Sequence, residues 1–132
     1  MLQDAVRLYQ SVDRESMSGR STEARVLTQG ALKLVDCQKY WDTPNRKKLL
    51  DEALRYNQRI WSIFQAEVSK QENPLPEEIK RNILLLSRFI DQRIFDTMAF
   101  PEAHKLDILI KINNNIAAGL RGSISGDTAV NY

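Results

Sequence analysis

The sequence is poor in the residues that covalent cross-links and most metal sites require. Its 132 residues include one cysteine, Cys37, and one histidine, His104. A single cysteine excludes an internal disulfide framework and a cysteine-rich metal site. A single histidine excludes a metal site built from several histidines. We therefore expect a chain that needs neither a metal nor another cofactor.

Glycine and proline are also scarce, and neither sign of charge is in large excess. There are five glycines and four prolines, which argues against collagen-like, linker and turn-rich all-β chains. Nineteen Lys and Arg residues stand against 17 Asp and Glu residues, so the net charge is +2. Proteins dedicated to nucleic acids usually carry a strong basic excess. Direct contact with nucleic acid is therefore not the first expectation.

Long apolar runs are absent as well. The longest strictly aliphatic run is Ile83-Leu84-Leu85-Leu86, far short of the roughly 20 residues that span a bilayer. The first residues, Met1-Leu2-Gln3-Asp4, lack the basic and apolar stretches of a secretory signal. We expect a cytoplasmic protein without membrane association.

Helical periodicity is what the sequence does contain. No segment shows the period of two that predicts a β-strand. Four main helices are predicted instead, near residues 21–41, 44–69, 76–98 and 101–121. They form one all-α bundle domain over residues 21–121. Residues 1–20 are predicted as an N-terminal arm, in which a short helix to about Gln10 precedes a linker, and residues 122–132 as a flexible tail.

Capping residues and prolines set these boundaries. Proline suits the first helical position because no intrahelical hydrogen bond is lost there. The starts predicted in this way are Pro44 with Thr43 as its cap, Pro76, and Pro101. Ser21 or Thr22 is predicted to cap the first long helix, with Glu23 in its first turn. Gly119 or Gly122 is predicted to end the last helix.

The apolar arcs predict how the helices pack. The arc of the second helix spans about 180°, so this helix should be central and touch more than one neighbour. The third helix has a core seam made of Ile79, Ile83, Leu86, Ile90 and Ile94. Gly30, near the edge of the first helix's apolar stripe, either weakens that helix or lets a neighbour approach closely.

Asn57 and Asn113 each fall near the middle of an apolar arc. A buried amide destabilises a fold unless it is hydrogen-bonded. The favoured interpretation is therefore a pair of satisfied core amides that fix helix register. The alternative is that the surrounding arc is a groove for another chain.

No catalytic arrangement emerges. The adjacent acids Asp51-Glu52 and Glu77-Glu78 point about 100° apart on a helix, so neither pair converges on one substrate atom. Nothing in the sequence links Cys37 to His104 as nucleophile and base. Cys37 is expected to be a small buried apolar residue and His104 a surface residue. We expect a protein that is not an enzyme.

Surplus apolar residues predict a protein-binding surface. The candidates lie at the end of the first helix, on the third helix or just after it: Tyr40, Trp41, Leu85, Phe89, Phe95, Met98 and Phe100. Such surplus often marks a groove for an amphipathic helix. One alternative is that residues 1–12 or the other helices cover this surface. Another is that residues 1–12 cover a groove there until a partner displaces them.

A second hypothesis is nucleic-acid binding. It requires a continuous positive face on the second helix, and the candidate residues are Arg46, Lys47, Lys48, Arg55 and Arg59. Asp42, Asp51 and Glu52 lie among them and would partly neutralise them, so an ordinary solvated helix face is the favoured interpretation.

Several short segments, in this order, resemble the flagellar biosynthesis regulator FlaF family. They are Arg59-Ile-Trp61, the Asn73-Pro-Leu-Pro76 turn before an aliphatic helix, and Leu109-Ile-Lys-Ile-Asn-Asn-Asn-Ile-Ala-Ala-Gly-Leu120. The resemblance covers roughly residues 1–121. The matching positions, for which a structural role is expected as much as a functional one, include Trp61, Leu75, Pro76, Asn113 and Gly119.

The resemblance implies a small cytoplasmic helical protein that acts after transcription on flagellin production and secretion. It implies flagellin, the partner regulator FlbT, or both as binding partners, in the manner of a chaperone or adaptor. The nucleic-acid hypothesis then becomes direct binding of the flagellin transcript. The family has no catalytic residues to transfer.

Overall fold

The computed structural model describes residues 16–124, and all regular structure in that range is helical. Four α-helices and one 3-10 helix follow in order: α1 (Ser16–Lys39), α2 (Arg46–Val68), α3 (Glu77–Ala99), the 3-10 helix (Ala103–Leu106) and α4 (Asp107–Ile124). The predicted all-α fold is confirmed. None of the described helices is long and apolar enough to cross a membrane.

The helices form a bundle in which α1 and α4 make the closest contact. They run antiparallel, since Gln38 near the end of α1 donates to Asp107 at the start of α4, at 2.6 Å. Helix α2 packs against α1 on one side and α3 on the other, as its wide apolar arc predicts. Buried apolar residues from all four helices meet in one core, including Leu27, Leu34, Leu54, Trp61, Ile90, Ile94 and Leu109.

Helix α1 begins earlier than the capping residues predict. Its first residue is Ser16, so Ser21 and Thr22 lie inside the helix and the predicted linker is helical from residue 16 onward. Glu23 is consequently in the second turn rather than the first. The predicted short helix to Gln10 lies outside the described residues.

The link between α1 and α2 also differs from the prediction. The Thr43 hydroxyl donates to the carbonyl of Tyr40 at 2.7 Å, so it satisfies the end of α1 rather than capping α2. Helix α2 starts at Arg46, and Pro44 belongs to the preceding turn. Pro76, in contrast, directly precedes α3, within one residue of its predicted position.

Both predicted boundaries of the last helix also differ from the observed ones. After Pro101 the chain first forms the 3-10 helix, and α4 starts only at Asp107. Neither Gly119 nor Gly122 ends α4, which continues to Ile124. The first residues predicted as a tail are therefore helical, and residues 125–132 lie outside the described range.

A buried network of amides joins three helices at the centre of the bundle. The Asn57 amide nitrogen on α2 donates to the carbonyls of Gly30 (3.2 Å) and Ala53 (2.8 Å). The Asn113 amide nitrogen on α4 donates to the Asn57 Oδ1 atom (2.6 Å) and the Leu27 carbonyl (3.3 Å). Both asparagines thus use both donors, which agrees with the interpretation as satisfied core amides.

Gly30 makes room for this network. A Cβ atom at position 30 would lie 2.7 Å from Asn57 Oδ1 and 2.8 Å from Asn113 Nδ2, closer than atoms can pack. The residue therefore serves close approach, the second of the two roles predicted for it.

Substituting this glycine tests the packing. Gly30→Ala should lower the free energy of unfolding by about 2 kcal/mol, because steric displacement of the amides outweighs the gain in helix propensity. Gly119→Ala is the matched control, since nothing lies within 4 Å of a Cβ there; it should raise stability by about 0.5–1 kcal/mol. Urea unfolding of both variants measures this. A Gly30→Ala variant as stable as the parent would contradict the assignment.

Candidate protein-binding groove

A groove of about 460 Å³ opens between α2, α3 and α4 at one end of the bundle. Its volume falls within the range usual for ligand pockets. Most of its lining is apolar, and the apolar side chains include Trp61, Phe64, Val68, Leu75, Ile83 and Leu120. A contiguous apolar depression of this kind suits an apolar side chain or helix face.

The groove exists because α3 is attached to the bundle on one side. Helix α3 packs mainly on α2 and hardly touches α4. The predicted α3 seam therefore divides into two halves. Ile90 and Ile94 are buried in the core, whereas Ile79 is 44% exposed and lines the groove with the half-buried Ile83 and Leu86.

The amide network fixes the floor of the groove. The indole nitrogen of Trp61 donates to Asn113 Oδ1 at 3.0 Å, so α2 is tied directly to α4 below the opening. Phe64 packs edge-on against the Trp61 ring, with 5.6 Å between ring centroids. The floor thus consists of two aromatic rings: the hydrogen bond to Asn113 orients Trp61, and Phe64 packs against Trp61.

Charged groups gather along one wall. Arg20 and Glu23 of α1 and Glu67 of α2 all line the groove. Burial, and to a smaller extent the charge of Glu67, raise the pKa of Glu23 to about 7, although Arg20 opposes the shift. Glu67 also pairs with Lys70 at 3.0 Å. Glu23 is therefore a half-buried acid that titrates near neutral pH.

The residues predicted as a partner surface lie elsewhere. Six of the seven are exposed and Trp41 is half-buried; the exposed ones are Tyr40, Leu85, Phe89, Phe95, Met98 and Phe100. None of them lines the groove. Cations cover four of the rings: Lys39 over Tyr40, Arg46 over Trp41, Arg93 over Phe89 and Lys105 over Phe100. The least covered apolar side chain is Phe95, which is 70% exposed.

The five predicted nucleic-acid residues are all exposed, but two have partners of their own. Arg55 pairs with Asp51 at 2.9 Å and Arg46 lies over Trp41. Lys47 and Lys48 line a second depression with Asp51 and Met98. The remaining residue, Arg59, lies more than two turns further along α2. The structure thus spreads these cations along the helix.

The residues that carry the family resemblance converge on the network and the groove. Trp61 and Asn113 are hydrogen-bonded to each other. Leu75 and Gly119 line the groove, and Pro76 precedes α3 beside it. Glu23 and Glu67 were missed as site residues, because their proximity depends on the pairing of α1 with α2 and leaves no local signal.

The catalytic candidates lie apart from the groove. Cys37 is buried, and burial together with the charges of Asp36 and Glu52 raises the pKa of its thiol to about 11. His104 is exposed and contacts Glu102 at 2.6 Å. Within residues 16–124 no three His, Cys, Asp or Glu side chains are grouped to hold a metal ion.

The raised pKa of Glu23 predicts how stability depends on pH. Because the acid ionises less readily when folded, its stabilising contribution is complete below pH 4.5 and is lost as the pH rises to about 7. At pH 8 the free energy of unfolding of Glu23→Gln should therefore be about 1–2 kcal/mol higher than that of the parent. The difference should shrink toward zero at pH 4.5.

Chemical denaturation at pH 8, 7, 6 and 5 measures the effect. Glu72→Gln is the control, since Glu72 is exposed and outside the groove. A Glu23→Gln variant whose stability differs from the parent equally at all four pH values would contradict the prediction.

Comparison with known proteins identifies a family for the chain. Residues 5–120 match the family model described as Flagellar protein FlaF. No curated protein and no solved structure matches the chain. Since the family match covers most of the sequence, including every helix up to the last turn of α4, this chain belongs to the FlaF family of flagellar proteins.

Proposed function

We propose that this chain is a cytoplasmic, non-enzymatic adaptor that couples flagellin synthesis to flagellin export. It binds flagellin, the partner regulator FlbT, or both. Membership of the FlaF family supports the link to the flagellum, and the partners are those that the sequence resemblance implies. The observation that carries the proposal is the apolar groove between α2, α3 and α4.

The mechanism is shielding. An amphipathic helix of unexported flagellin would place its apolar face against Phe64, Ile83 and Leu120, which line the groove. Burying that face removes an aggregation-prone surface from water. The fraction of occupied grooves would then rise with the concentration of unexported flagellin.

The chemistry of the groove favours binding over catalysis. Its walls are mainly apolar, and its ionisable groups are carboxylates and basic side chains without an adjacent nucleophile among the described residues. The buried thiol of Cys37 is protonated at neutral pH because its pKa is raised to about 11. An adaptor needs only such an apolar surface to bind its partner and requires no reactive group.

Calorimetric titration of the full chain with purified monomeric flagellin, and separately with FlbT, tests the proposal. The parent should bind at least one of them. Ile79→Ser should weaken that binding about tenfold, because an apolar contact worth roughly 1.5 kcal/mol is lost. Ile79 is 44% exposed, so the substitution should leave the fold intact.

Leu85→Ser is the matched control, since Leu85 is 56% exposed on the same helix but outside the groove. It should bind like the parent. Loss of binding in Leu85→Ser alone would assign the partner to the outer face of α3 instead. Binding to neither protein would refute the proposal, and salt-sensitive binding to the flagellin transcript would favour the nucleic-acid hypothesis.

A further inference from the structure

The carboxyl group of Glu23 is a candidate acceptor for a cation that a ligand supplies. Its side chain lies half-buried in the wall of the groove. It makes no hydrogen bond or ion pair with another residue of 16–124, and the attraction of Arg20 does not offset its burial. Nearby Glu67 is already paired with Lys70. A carboxylate placed this way gains more from an added cation than an exposed one does.

Among residues 16–124, the other elements around Glu23 do not supply that cation. Besides Arg20 and the Glu67–Lys70 pair, the groove is lined on α3 by the neutral Asn82 and on α4 by the neutral Asn115. The nearby basic residue of α4, Arg121, donates to Thr28 Oγ1 at 2.8 Å. The described part of the wall therefore offers negative charge beside apolar surface.

We infer that the groove selects an amphipathic helix that carries a lysine or arginine beside its apolar stripe, with Glu23 as the acceptor of that cation. The inference rests on the proposed function, since it names the chemistry of the partner that the groove takes. A helix fits because the opening lies between α3 and α4, which hardly touch, so a further helix can pack there as in a bundle.

This selection makes binding depend on pH. The cation pairs with the ionised carboxylate, so binding must displace the proton that Glu23 holds below pH 7. The ligand's lysine stays charged throughout this range. Lowering the pH from 8 to 6 reduces the ionised fraction of Glu23, and with it the affinity, by about tenfold. Burial sets this dependence, since it is the main cause that raises the pKa of Glu23; the negative charge of Glu67 adds a smaller contribution in the same direction.

Fluorescence anisotropy with synthetic peptides tests the inference on the full chain. The probe is a labelled amphipathic helix with leucines at i, i+3, i+4 and i+7 and one lysine beside that stripe; the reference peptide has glutamine instead. At pH 8 the lysine peptide should bind about tenfold more tightly than the glutamine peptide. Its affinity should fall about tenfold at pH 6.

Two variants separate this effect from a structural one. Glu23→Gln, expected to be more stable than the parent at pH 8, should bind both peptides equally and at all pH values. Glu67→Gln should keep the preference for lysine and move the loss of affinity slightly to lower pH, because it removes only the smaller, repulsive contribution to the raised pKa of Glu23 and leaves its burial unchanged. Circular dichroism confirms that each variant is folded.

The outcomes distinguish the inference from the proposed function. Equal binding of the two peptides by the parent, a lysine preference that persists in Glu23→Gln, or no binding of either peptide would overturn the inference. Flagellin binding that Ile79→Ser weakens but Glu23→Gln leaves unchanged would uphold the proposed function and overturn the inference. Lysine-selective binding without any binding of flagellin or FlbT would uphold the inference about the groove and overturn the proposed function.

Discussion

The hydrogen bond between Asn57 and Asn113 is the constraint on which the bundle depends. At 2.6 Å between two buried side chains, it fixes the axial position of α2 against α4. The same two side chains also bind carbonyls of α1, so three helices are held in one register. A slip of one residue in any of them would leave buried amide groups unpaired, which is more destabilising than losing an apolar contact of similar size. The apolar core alone would tolerate such a slip more easily.

The position of α3 follows from its exclusion from this network. Its contact with the bundle is mainly apolar and is made mainly through α2, by residues such as Ile90 and Ile94. At the other end of α3 nothing comparable ties it to α4, and that gap is the groove. The apolar residues there are not surplus to the core; they are core-type residues, such as Ile83, that face an opening.

The sequence predicts the helices better than it predicts the site, for physical reasons. Helix type and number follow from periodicity, and Pro76 marks a start because its backbone chemistry is local. Thr43 misleads because its hydroxyl can satisfy either the helix before it or the helix after it, and it bonds to Tyr40. Gly119 misleads because a glycine with open space around it can stay helical. Glu23 gives no signal, since its environment is created mainly by burial in the assembled bundle and only in part by Glu67 from another helix.

Trp61 connects the two parts of the molecule, since it is a member of the network and the floor of the groove. Its ring is oriented before any ligand arrives, so a ligand does not lose affinity in ordering it. The α3 wall, in contrast, is held mainly by α2 and hardly touches α4. In the function proposed above, this fixed floor and the α3 wall beside it would together receive the partner helix. The same division explains why the family resemblance falls on both Asn113 and Leu75: the first builds the floor, and the second lines the opening above it.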